Sequence, residues 1–493
     1  MKKVVVVGAG IGGLASALQL AHQGYEVEVY EKNSTPGGKM RTVNSTSGPI
    51  DAGPTVFTLK HIFDALFQTV NEEIEDHLIF KQESVLARHF WPDGTVLDLS
   101  FSPEQNFNAI KAFAGIKAAI EFEKFDRLAK ELYTSFNQPI LHNPNPSIRE
   151  SIKGSLKSAL KIIPAIIPGR TLADLVKSSF TDKRLRQVFS RYATYIGGSP
   201  YNSPAILSLI WHAESLGVWK IEGGMHKLAT KIADLAEHRG AHFHYNKSVS
   251  EILVTNQQVN GVRLDNGEEI NCNYIVFNGD PLAIFTGLLG KNLNNLLPKK
   301  SVQERSLSAY VWTFAAKPSL HDLAHHNVFF NSIYRSEFDD IALGRMPRDP
   351  TLYVCAQDQE KQIKSNSANK FEIIMNAPPL SNNNFNEEEE FEICHQRTFK
   401  NLEKMGLTFT PSPSRTALTT PKIFSQLFPA SSGSLYGLNP RKLMTTFLRP
   451  QAQTKIQGLY LAGGGVHPGP GIPMALLSGR HAAAAIIKDQ TSI

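Results

Sequence analysis

A glycine-rich turn between a short apolar strand and a helix dominates the N-terminus of the 493-residue chain. Val4 to Val7 form an apolar run that is typical of a buried parallel strand. The sequence GAGIGG follows at once, and a second strand then ends at Glu31, 18 positions after Gly13. This order predicts a Rossmann-like dinucleotide site, in which Gly8 permits the tight turn and Glu31 binds the ribose hydroxyls.

The composition narrows the classes of protein that remain. Hydrophobic residues make up 42% of the chain and charged residues 19%, which excludes wholesale disorder and suggests two or three domains. A net charge of +6 is mild for this length, so we predict no nucleic-acid partner. The N-terminal apolar run is too short for a signal peptide, and no apolar stretch reaches the ~20 residues that a spanning helix needs.

Cysteine and histidine usage argues against a metal centre. Cys272, Cys355 and Cys394 match neither a disulfide framework nor a zinc motif, which fits a reducing cytosol. His242 and His244 share one strand face, but no third ligand accompanies them in the sequence. We therefore predict no metal site.

A second glycine-rich loop lies near the C-terminus. Leu459 to Ala462 predict a strand, Gly463 to Pro473 form a loop rich in glycine and proline, and Met474 to Ile487 predict a helix. A strand, a glycine-rich loop and a helix N-terminus together bind anions well. Two such devices in one chain suit a long cofactor held at both ends, which favours FAD over NAD.

Four motifs together resemble the bacterial carotenoid desaturases of the phytoene desaturase type, within the FAD-dependent amine oxidase superfamily. They are GAGIGG at 8–13, PGGK at 36–39, DAGPT at 51–55, and the loop 463–471 with its HPG triplet. Three further stretches are similar to the acyclic 1-hydroxycarotenoid 3,4-desaturases of the methoxyneurosporene dehydrogenase type. These are ARHFWPDG at 87–94, RYATYIGGSPY at 191–201, and GVW at 217–219 followed by EGGM at 222–225.

The resemblance covers nearly the whole chain and implies a mixed α/β and α+β fold. A discontinuous Rossmann-like FAD-binding domain of the amine oxidase (GR2) type would take 1–85, 220–285 and 420–493. A β-sheet substrate domain would be interleaved over 86–105 and 286–419, and 106–219 would form a helical, membrane-facing entry region. The cofactor-binding residues that we expect are Gly8, Gly10, Gly12, Gly13, Glu31, Lys39, Thr55, Val56, Val249, Asn278, Gly465, Ile472 and Met474.

The activity that the resemblance implies is FAD-dependent desaturation of an acyclic carotenoid, at C-3,4 of a 1-hydroxycarotenoid. The sequence contains no evident carboxylate pair or Ser/His/Asp set, so no catalytic base is assigned. His89, Arg191 and His212 are candidates to pair with the substrate hydroxyl, and Tyr436 to lie near the flavin ring; each is also explained as a hydrogen-bonded structural residue. The aromatic residues expected to line an apolar tunnel, or simply to pack in the core, are Tyr192, Tyr195, Tyr201, Trp211 and Trp219.

Other functions stay open from sequence alone. The chain could desaturate phytoene or diapophytoene, isomerise a polyene with reduced FAD, or carry isoprenoids without a flavin. The two intact glycine-rich motifs argue against the flavin-free carrier. Desaturation removes two hydrogens and isomerisation removes none, so the product mass separates the first two classes.

A carotenoid substrate predicts peripheral contact with a bilayer. Lys153, Lys157 and Lys161 are four residues apart and precede the apolar stretch Ile162 to Ile167. This pattern is typical of a basic amphipathic segment on an anionic membrane surface, and equally of an ordinary surface helix. We expect a cytoplasmic protein at the inner face of the cell membrane, with oxygen or a quinone as electron acceptor.

Overall fold

The computed structural model describes residues 2–146, 162–320, 322–358, 368–380, 387–441 and 445–491. The strands in chain order are β1 (Lys3–Val7), β2 (Glu26–Glu31), β3 (Thr42–Val43), β4 (Ile50–Asp51), β5 (Phe80–Gln82), β6 (Ala87–Phe90), β7 (Val96–Leu99), β8 (Trp219–Ile221), β9 (Ala241–Tyr245), β10 (Val249–Thr255), β11 (Gln258–Leu264), β12 (Glu269–Asn271), β13 (Tyr274–Phe277), β14 (Ser308–Pro318), β15 (His326–Phe329), β16 (Leu352–Ala356), β17 (Asn369–Ala377), β18 (Phe409–Thr410), β19 (Leu418–Thr419) and β20 (Leu459–Leu461).

The α-helices in chain order are α1 (Ile11–His22), α2 (Lys60–Gln68), α3 (Pro103–Ala114), α4 (Ile116–Phe136), α5 (Leu172–Ser179), α6 (Lys183–Ser190), α7 (Leu209–Ser215), α8 (His226–His238), α9 (Leu282–Phe285), α10 (Tyr334–Ala342), α11 (Glu387–Lys404), α12 (Pro421–Leu427), α13 (Thr445–Leu448) and α14 (Ile472–Thr491). Single helical turns of other geometry cover Ile74–Asp76, Asn137–Leu141, Arg191–Ile196, Ala205–Ser208, Lys291–Leu293, Lys299–Ser301 and Arg415–Ala417.

The valine run at the N-terminus forms the central strand of a parallel sheet, in the order β20–β13–β1–β2–β9. Its side chains alternate between the two faces, as the period of a strand requires. Val4 and Val6 pack against the helices α1, α8 and α14, while Val5 and Val7 pack under the antiparallel sheet β10–β11–β12. Both faces are buried, which explains why the strand is apolar throughout.

A second, mostly antiparallel sheet has the order β18–β14–β17–β16–β15–β6–β7, with β19 also paired to β14. One face is apolar and packs on α11, where Trp312 stacks edge-on against Phe399 and donates to Thr398. The opposite face carries polar side chains that are equally buried. The segment around Pro92-Asp93-Gly94 turns the chain into the hairpin β6–β7, which continues this sheet.

Helices α3 to α7 surround a separate aromatic core, in which Phe189 contacts both Phe125 and Trp211. Thr171 begins α5 with a capping box to Asp174, which satisfies two backbone donors at that terminus. The mixed α/β and α+β composition of the predicted fold is therefore confirmed, whereas the boundaries of the three predicted domains stay predictions.

The predicted aromatic cluster does not form as one group. Tyr192 and Trp211 are fully buried in the helical core, with ring centroids 6.0 Å apart. Trp219 instead lies on β8, pairs with β5 and packs beside the parallel-sheet core. Gly217 adopts φ +132° immediately before it and redirects the chain, a turn that only glycine makes without strain.

Candidate active site

The glycine turn after β1 closes against the end of β13. Gly8 adopts φ +97°, and Asn278 donates from Nδ2 to its carbonyl at 3.2 Å. A Cβ on Gly10 would lie 2.7 Å from Asn278 Nδ2, and one on Gly13 would lie 2.2 Å from the Gly8 carbonyl oxygen. Side chains are therefore excluded here by direct contact, as a turn that approaches a pyrophosphate requires.

The N-terminus of α1 is open to an anion. Its capping residue, Gly10, provides no side-chain acceptor for the first amides of the helix. Those amides and the helix dipole favour a bound negative group. At the end of β2, Glu31 accepts from the Ala9 amide at 2.8 Å and from the Asn33 amide at 2.9 Å. These two bonds hold its carboxylate beside the turn.

The crossing of α1 and α14 depends on residues that the sequence analysis missed. A Cβ on Gly479 would lie 2.0 Å from the Gly12 carbonyl oxygen, so the two helices touch backbone to backbone. Ser16 Oγ lies within hydrogen-bond distance of both carbonyls, at 3.0 Å from Gly12 and 2.9 Å from Gly479. The Gly463 amide donates to Ser478 Oγ at 2.7 Å. Small residues spaced along the last helix were the available signal.

The PGGK loop packs on the first glycine turn. The Gly37 amide donates to the Ala9 carbonyl at 2.8 Å, and a Cβ on Gly38 would lie 3.1 Å from Gly10 Cα. Lys39 reaches the other way and donates to the carbonyl of Leu435. Burial lowers the pKa of Lys39 to about 8. Its predicted role of binding the cofactor stays a prediction.

The C-terminal glycine loop meets the loop that contains Tyr436. Arg449 Nη1 donates to the carbonyls of Gly464 and Tyr436, each at 3.3 Å. A Cβ on Gly465 would lie 2.5 Å from Pro281 Cδ. Helix α14 begins at Ile472, two residues before Met474, so both lie in its first turn.

The remaining predicted contacts spread over three elements. Val249 begins β10 and pairs with Leu264, whereas Val56 packs at the edge of the helical core. Thr55 Oγ1 lies 2.8 Å from the hydroxyl of Tyr353 on the second sheet. The structure therefore brings the glycines, Glu31 and Asn278 together, while Thr55 links that end of the molecule to the second sheet. All these cofactor assignments stay predictions.

A row of four buried polar residues crosses the inner face of the second sheet. Thr313, Glu372, Cys355 and His326 are register partners on β14, β17, β16 and β15 in turn. Each is less than 5% exposed. Thr313 Oγ1, both carboxylate oxygens of Glu372 and Nε2 of His326 have no hydrogen-bond partner among the described residues. Sequence reasoning missed this row, because strands so distant in the chain give no local signal of their register.

Two of the predicted polar candidates lie beside this row. His89 on β6 contacts the Leu97 carbonyl through Nδ1 at 3.0 Å, and its Nε2 has no partner among the described residues. Burial, aided by the Arg191 charge, lowers the pKa of His89 to about 3. The guanidinium of Arg191 lies 5.0 Å from the ring centroid of Tyr195. His326 is a further residue whose pKa the charge of Arg191 lowers.

His212 lies elsewhere, against α4. Its ring packs edge-on against Tyr133 with centroids 5.4 Å apart, and Ser215 Oγ lies 3.4 Å from its Nδ1. Asp126 and Lys130, both on α4, are the charges that act on it. The structure thus brings His89 and Arg191 together and leaves His212 apart. The roles suggested for these three residues stay predictions.

Tyr436 lies near both the C-terminal glycine loop and the polar row on the second sheet. Its side chain is half-buried, and desolvation raises its pKa to about 12, with the charge of Glu372 as a further cause. A Cβ on Gly197 would lie 2.4 Å from its ring, and its amide donates to Ser306 Oγ at 3.1 Å. Its carbonyl is bound by Arg449 together with the C-terminal glycine loop.

His325, His326 and Cys355 form a buried group whose ligand-type atoms lie within 4.8 Å of one another. The contacts within the group are those of a hydrogen-bonded network. His326 Nδ1 lies 2.6 Å from the Tyr353 hydroxyl, and Cys355 Sγ lies 3.7 Å from His325 Nε2. Burial and the charge of Glu372 raise the pKa of the Cys355 thiol, which disfavours the thiolate that metals bind. The absence of a metal site stays a prediction.

Comparison with known proteins adds independent information. The model of the flavin containing amine oxidoreductase family matches residues 11–284 and 392–487. The chain is 48% identical over 490 residues to a hydroxyneurosporene desaturase of Cereibacter sphaeroides, which covers 99% of this chain and 98% of the relative. It is 33% identical over 504 residues to a 1-hydroxycarotenoid 3,4-desaturase of Flavobacterium sp., with 99% of both chains covered.

The fold has counterparts among solved structures. An oxidoreductase from Methanosarcina mazei aligns with a TM-score of 0.61 at 16% identity, over 99% of this chain and 100% of that chain. The open amides of α1 and the side-chain-free turn at Gly10 fit the pyrophosphate of FAD, and Glu31 fits its ribose. The chain therefore belongs to the flavin-containing amine oxidoreductase family, in which it is an FAD-dependent carotenoid desaturase.

Proposed function

We propose that the protein introduces the C-3,4 double bond into an acyclic 1-hydroxycarotenoid. The observation that carries this proposal is the full-length similarity to relatives named hydroxyneurosporene desaturase and 1-hydroxycarotenoid 3,4-desaturase, at 48% and 33% identity. The buried polar row beside Thr55 supports a substrate that is apolar along its chain and polar at one end. A fully hydrocarbon substrate would need no such row.

The chemistry divides between cofactor and protein. When bound, FAD would supply the two-electron oxidation by accepting a hydride from one carbon, and the neighbouring carbon would release its proton to a weak base or water. The protein must hold the saturated bond against the flavin and exclude water. Tyr436 and Tyr353 suit that task, because each is at least half-buried and is fixed by hydrogen bonds through backbone or hydroxyl. No step in this account requires a further nucleophile.

The direct test is product analysis. Purified protein is incubated with FAD and a 1-hydroxylated acyclic carotenoid, and the products are resolved by mass and absorption. We expect a product lighter by two hydrogens that absorbs at longer wavelength. A product of unchanged mass would indicate an isomerase, and desaturation of phytoene alone would move the protein to another desaturase class.

We also propose peripheral membrane contact through the helical region. Ile163 and Ile167 are 43% and 45% exposed and lie four residues apart, and Ile116 and Ile120 on α4 are 51% and 42% exposed. Exposed apolar side chains in two neighbouring stretches of the helical region favour an interfacial surface. The sequence-predicted lysines Lys153, Lys157 and Lys161 lie outside the described residues. Within the described residues, no helix has both the length and the apolarity of a membrane span.

Liposome sedimentation tests this contact. The double variant Ile163→Ser/Ile167→Ser should bind anionic liposomes less tightly, while Leu288→Ser, at a leucine 52% exposed in another part of the molecule, should bind as wild type does. Equal binding of both variants would remove this surface from the contact.

We further propose residence at the cytoplasmic face of the cell membrane, which cell fractionation tests. Oxygen or a quinone is the acceptor that we propose, distinguishable by anaerobic reoxidation with a quinone alone.

A further inference from the structure

The polar row on the second sheet is incomplete as a protein structure. A buried donor or acceptor without a partner is unfavourable, so such groups are rare unless a ligand or water completes them. Glu372 is the extreme case, because it is 1% exposed and neither of its oxygens is bonded within the described residues. Thr313 and His326, in the same row, each leave one further polar atom unpaired.

A second buried glutamate shows what a completed site looks like. Glu337 on α10 is also fully buried, but it accepts from Asn376 Nδ2 at 2.8 Å and from the Thr351 amide at 3.0 Å. Asn376 lies four residues beyond Glu372 on the same strand, about 13 Å away. The fold therefore satisfies one buried carboxyl with its own atoms and leaves the other open.

The open carboxyl faces the cofactor end of the molecule. Its charge acts on Tyr436, whose carbonyl shares Arg449 with the C-terminal glycine loop. The charges of Asp51 and Arg41, which follow the PGGK loop, act on it, and the Thr55 hydroxyl comes near enough to lower its pKa without forming a hydrogen bond of normal geometry. Thr55 Oγ1 itself pairs with the Tyr353 hydroxyl at 2.8 Å. Glu372 thus lies on the face of the second sheet that is turned toward the segments that carry the flavin motifs.

We propose that Glu372 binds the hydroxyl of the substrate and so selects hydroxylated over non-hydroxylated chains. This inference rests on the proposed function. In a 1-hydroxycarotenoid the hydroxyl carbon is two bonds from C-3. A chain placed with its C-3,4 bond at the flavin therefore has its hydroxyl close to the flavin as well. Thr313 is the neighbour of Glu372 on β14, and His326 lies on the other side beyond Cys355, so both can contribute polar atoms to the pocket for that group.

The protonation state of Glu372 suits a hydroxyl partner. Burial, together with the charge of Asp51, raises the pKa of this carboxyl well above its usual range. In its protonated form a carboxyl has one O–H donor and a free acceptor, and an alcohol has the same pair. The two groups can therefore exchange two hydrogen bonds without burying a charge.

Two other roles for Glu372 make different predictions. It could form a structural pair with Arg41, whose Nε also lacks a partner among the described residues, through an intervening water. It could instead contact the flavin directly. The first role predicts that its removal destabilises the fold, and the second that its removal releases FAD.

The experiment compares Glu372→Leu, Glu372→Gln and the wild type on a hydroxylated acyclic carotenoid and its deoxy counterpart. For Glu372→Leu we expect the hydroxylated-to-deoxy ratio of kcat/KM to fall about 10- to 100-fold. The Kd ratio for the two chains, read from carotenoid-induced changes in flavin absorption, should fall in parallel. Glu372→Gln, which keeps a donor and an acceptor, should retain most of the preference. Glu337→Gln is the matched control and should leave the ratio unchanged.

The outcomes separate this inference from the proposed function. Equal loss on both substrates, a lower Tm or a loss of bound FAD in Glu372→Leu would each overturn the hydroxyl-binding role. A wild-type enzyme that desaturates the two chains equally, or only the deoxy chain, would overturn the proposed substrate itself. A ratio that changes while Tm and FAD content hold supports the proposal.

Discussion

The two buried polar regions of this molecule are built in opposite ways. At the glycine turn, Glu31 and Asn278 bond to backbone groups of the same turn, and the backbone leaves no space for a side chain. On the second sheet, Glu372 and its neighbours in the row are just as buried but have atoms without partners. In the first region the polar side chains are bonded before a ligand arrives and only the first amides of α1 stay open, whereas in the second region polar side-chain atoms themselves lack partners. This difference fits the two proposed roles: the glycine turn binds the cofactor, and the polar row on the second sheet selects the substrate.

Filling the glycine turn should have the largest effect. Gly13→Ala places a Cβ 2.2 Å from the Gly8 carbonyl oxygen, where only a backbone shift relieves the clash. We expect loss of bound FAD and a fall of about 3 kcal/mol in the free energy of unfolding, measured by flavin absorbance and denaturant titration. Gly24→Asn is the control, because nothing lies within 4 Å of that position and Asn tolerates its positive φ. Retention of FAD by Gly13→Ala would show that the turn is looser than its contacts indicate.

Removing the acid at the end of β2 should have a smaller effect on the cofactor, accompanied by some loss of stability because the amides of Ala9 and Asn33 lose their acceptor. Glu31→Ala should weaken FAD binding by about 1–3 kcal/mol, because charge-assisted bonds to the ribose are lost. Glu31→Gln keeps one acceptor oxygen, so its affinity for FAD should lie between that of Glu31→Ala and that of the wild type. Isothermal titration of the apoprotein with FAD measures both. An unchanged Kd in Glu31→Ala would assign the ribose to another residue.

The buried His89, which lies beside the polar row, should make the stability of the protein depend on pH. Because burial lowers the pKa of His89 to about 3 from a usual 6.5, the unfolded chain binds a proton that the folded protein refuses. The free energy of unfolding should therefore fall as the pH decreases, by about 2 kcal/mol between pH 7 and pH 5 from this residue alone. His89→Asn should remove that part of the pH dependence, whereas the exposed His242→Asn should not. Identical pH profiles of His89→Asn and wild type would mean that His89 is already accessible to water.

The sequence predicted the first strand, the glycine turn, the helix and the strand that ends at Glu31 because these signals are local. The strand, the glycines and the acid all lie within the first 31 residues, and their pattern can be read from residues that are close together in the chain. Glu372 and Thr313 were invisible because their meaning depends on register between β14 and β17, and Cys355 and His326 on that of β16 and β15. His212 seemed equivalent to His89 by residue type alone; only the fold separates them.

Flavin reduction under anaerobic conditions tests the central claim most directly. Enzyme with stoichiometric FAD is mixed with one equivalent of a 1-hydroxylated carotenoid in the absence of any acceptor. If the protein is a flavin-dependent desaturase, the flavin absorption should bleach once, with one new carbon–carbon double bond formed for each flavin reduced. Carotenoid conversion without bleaching, or bleaching without a change in carotenoid mass, would contradict the account.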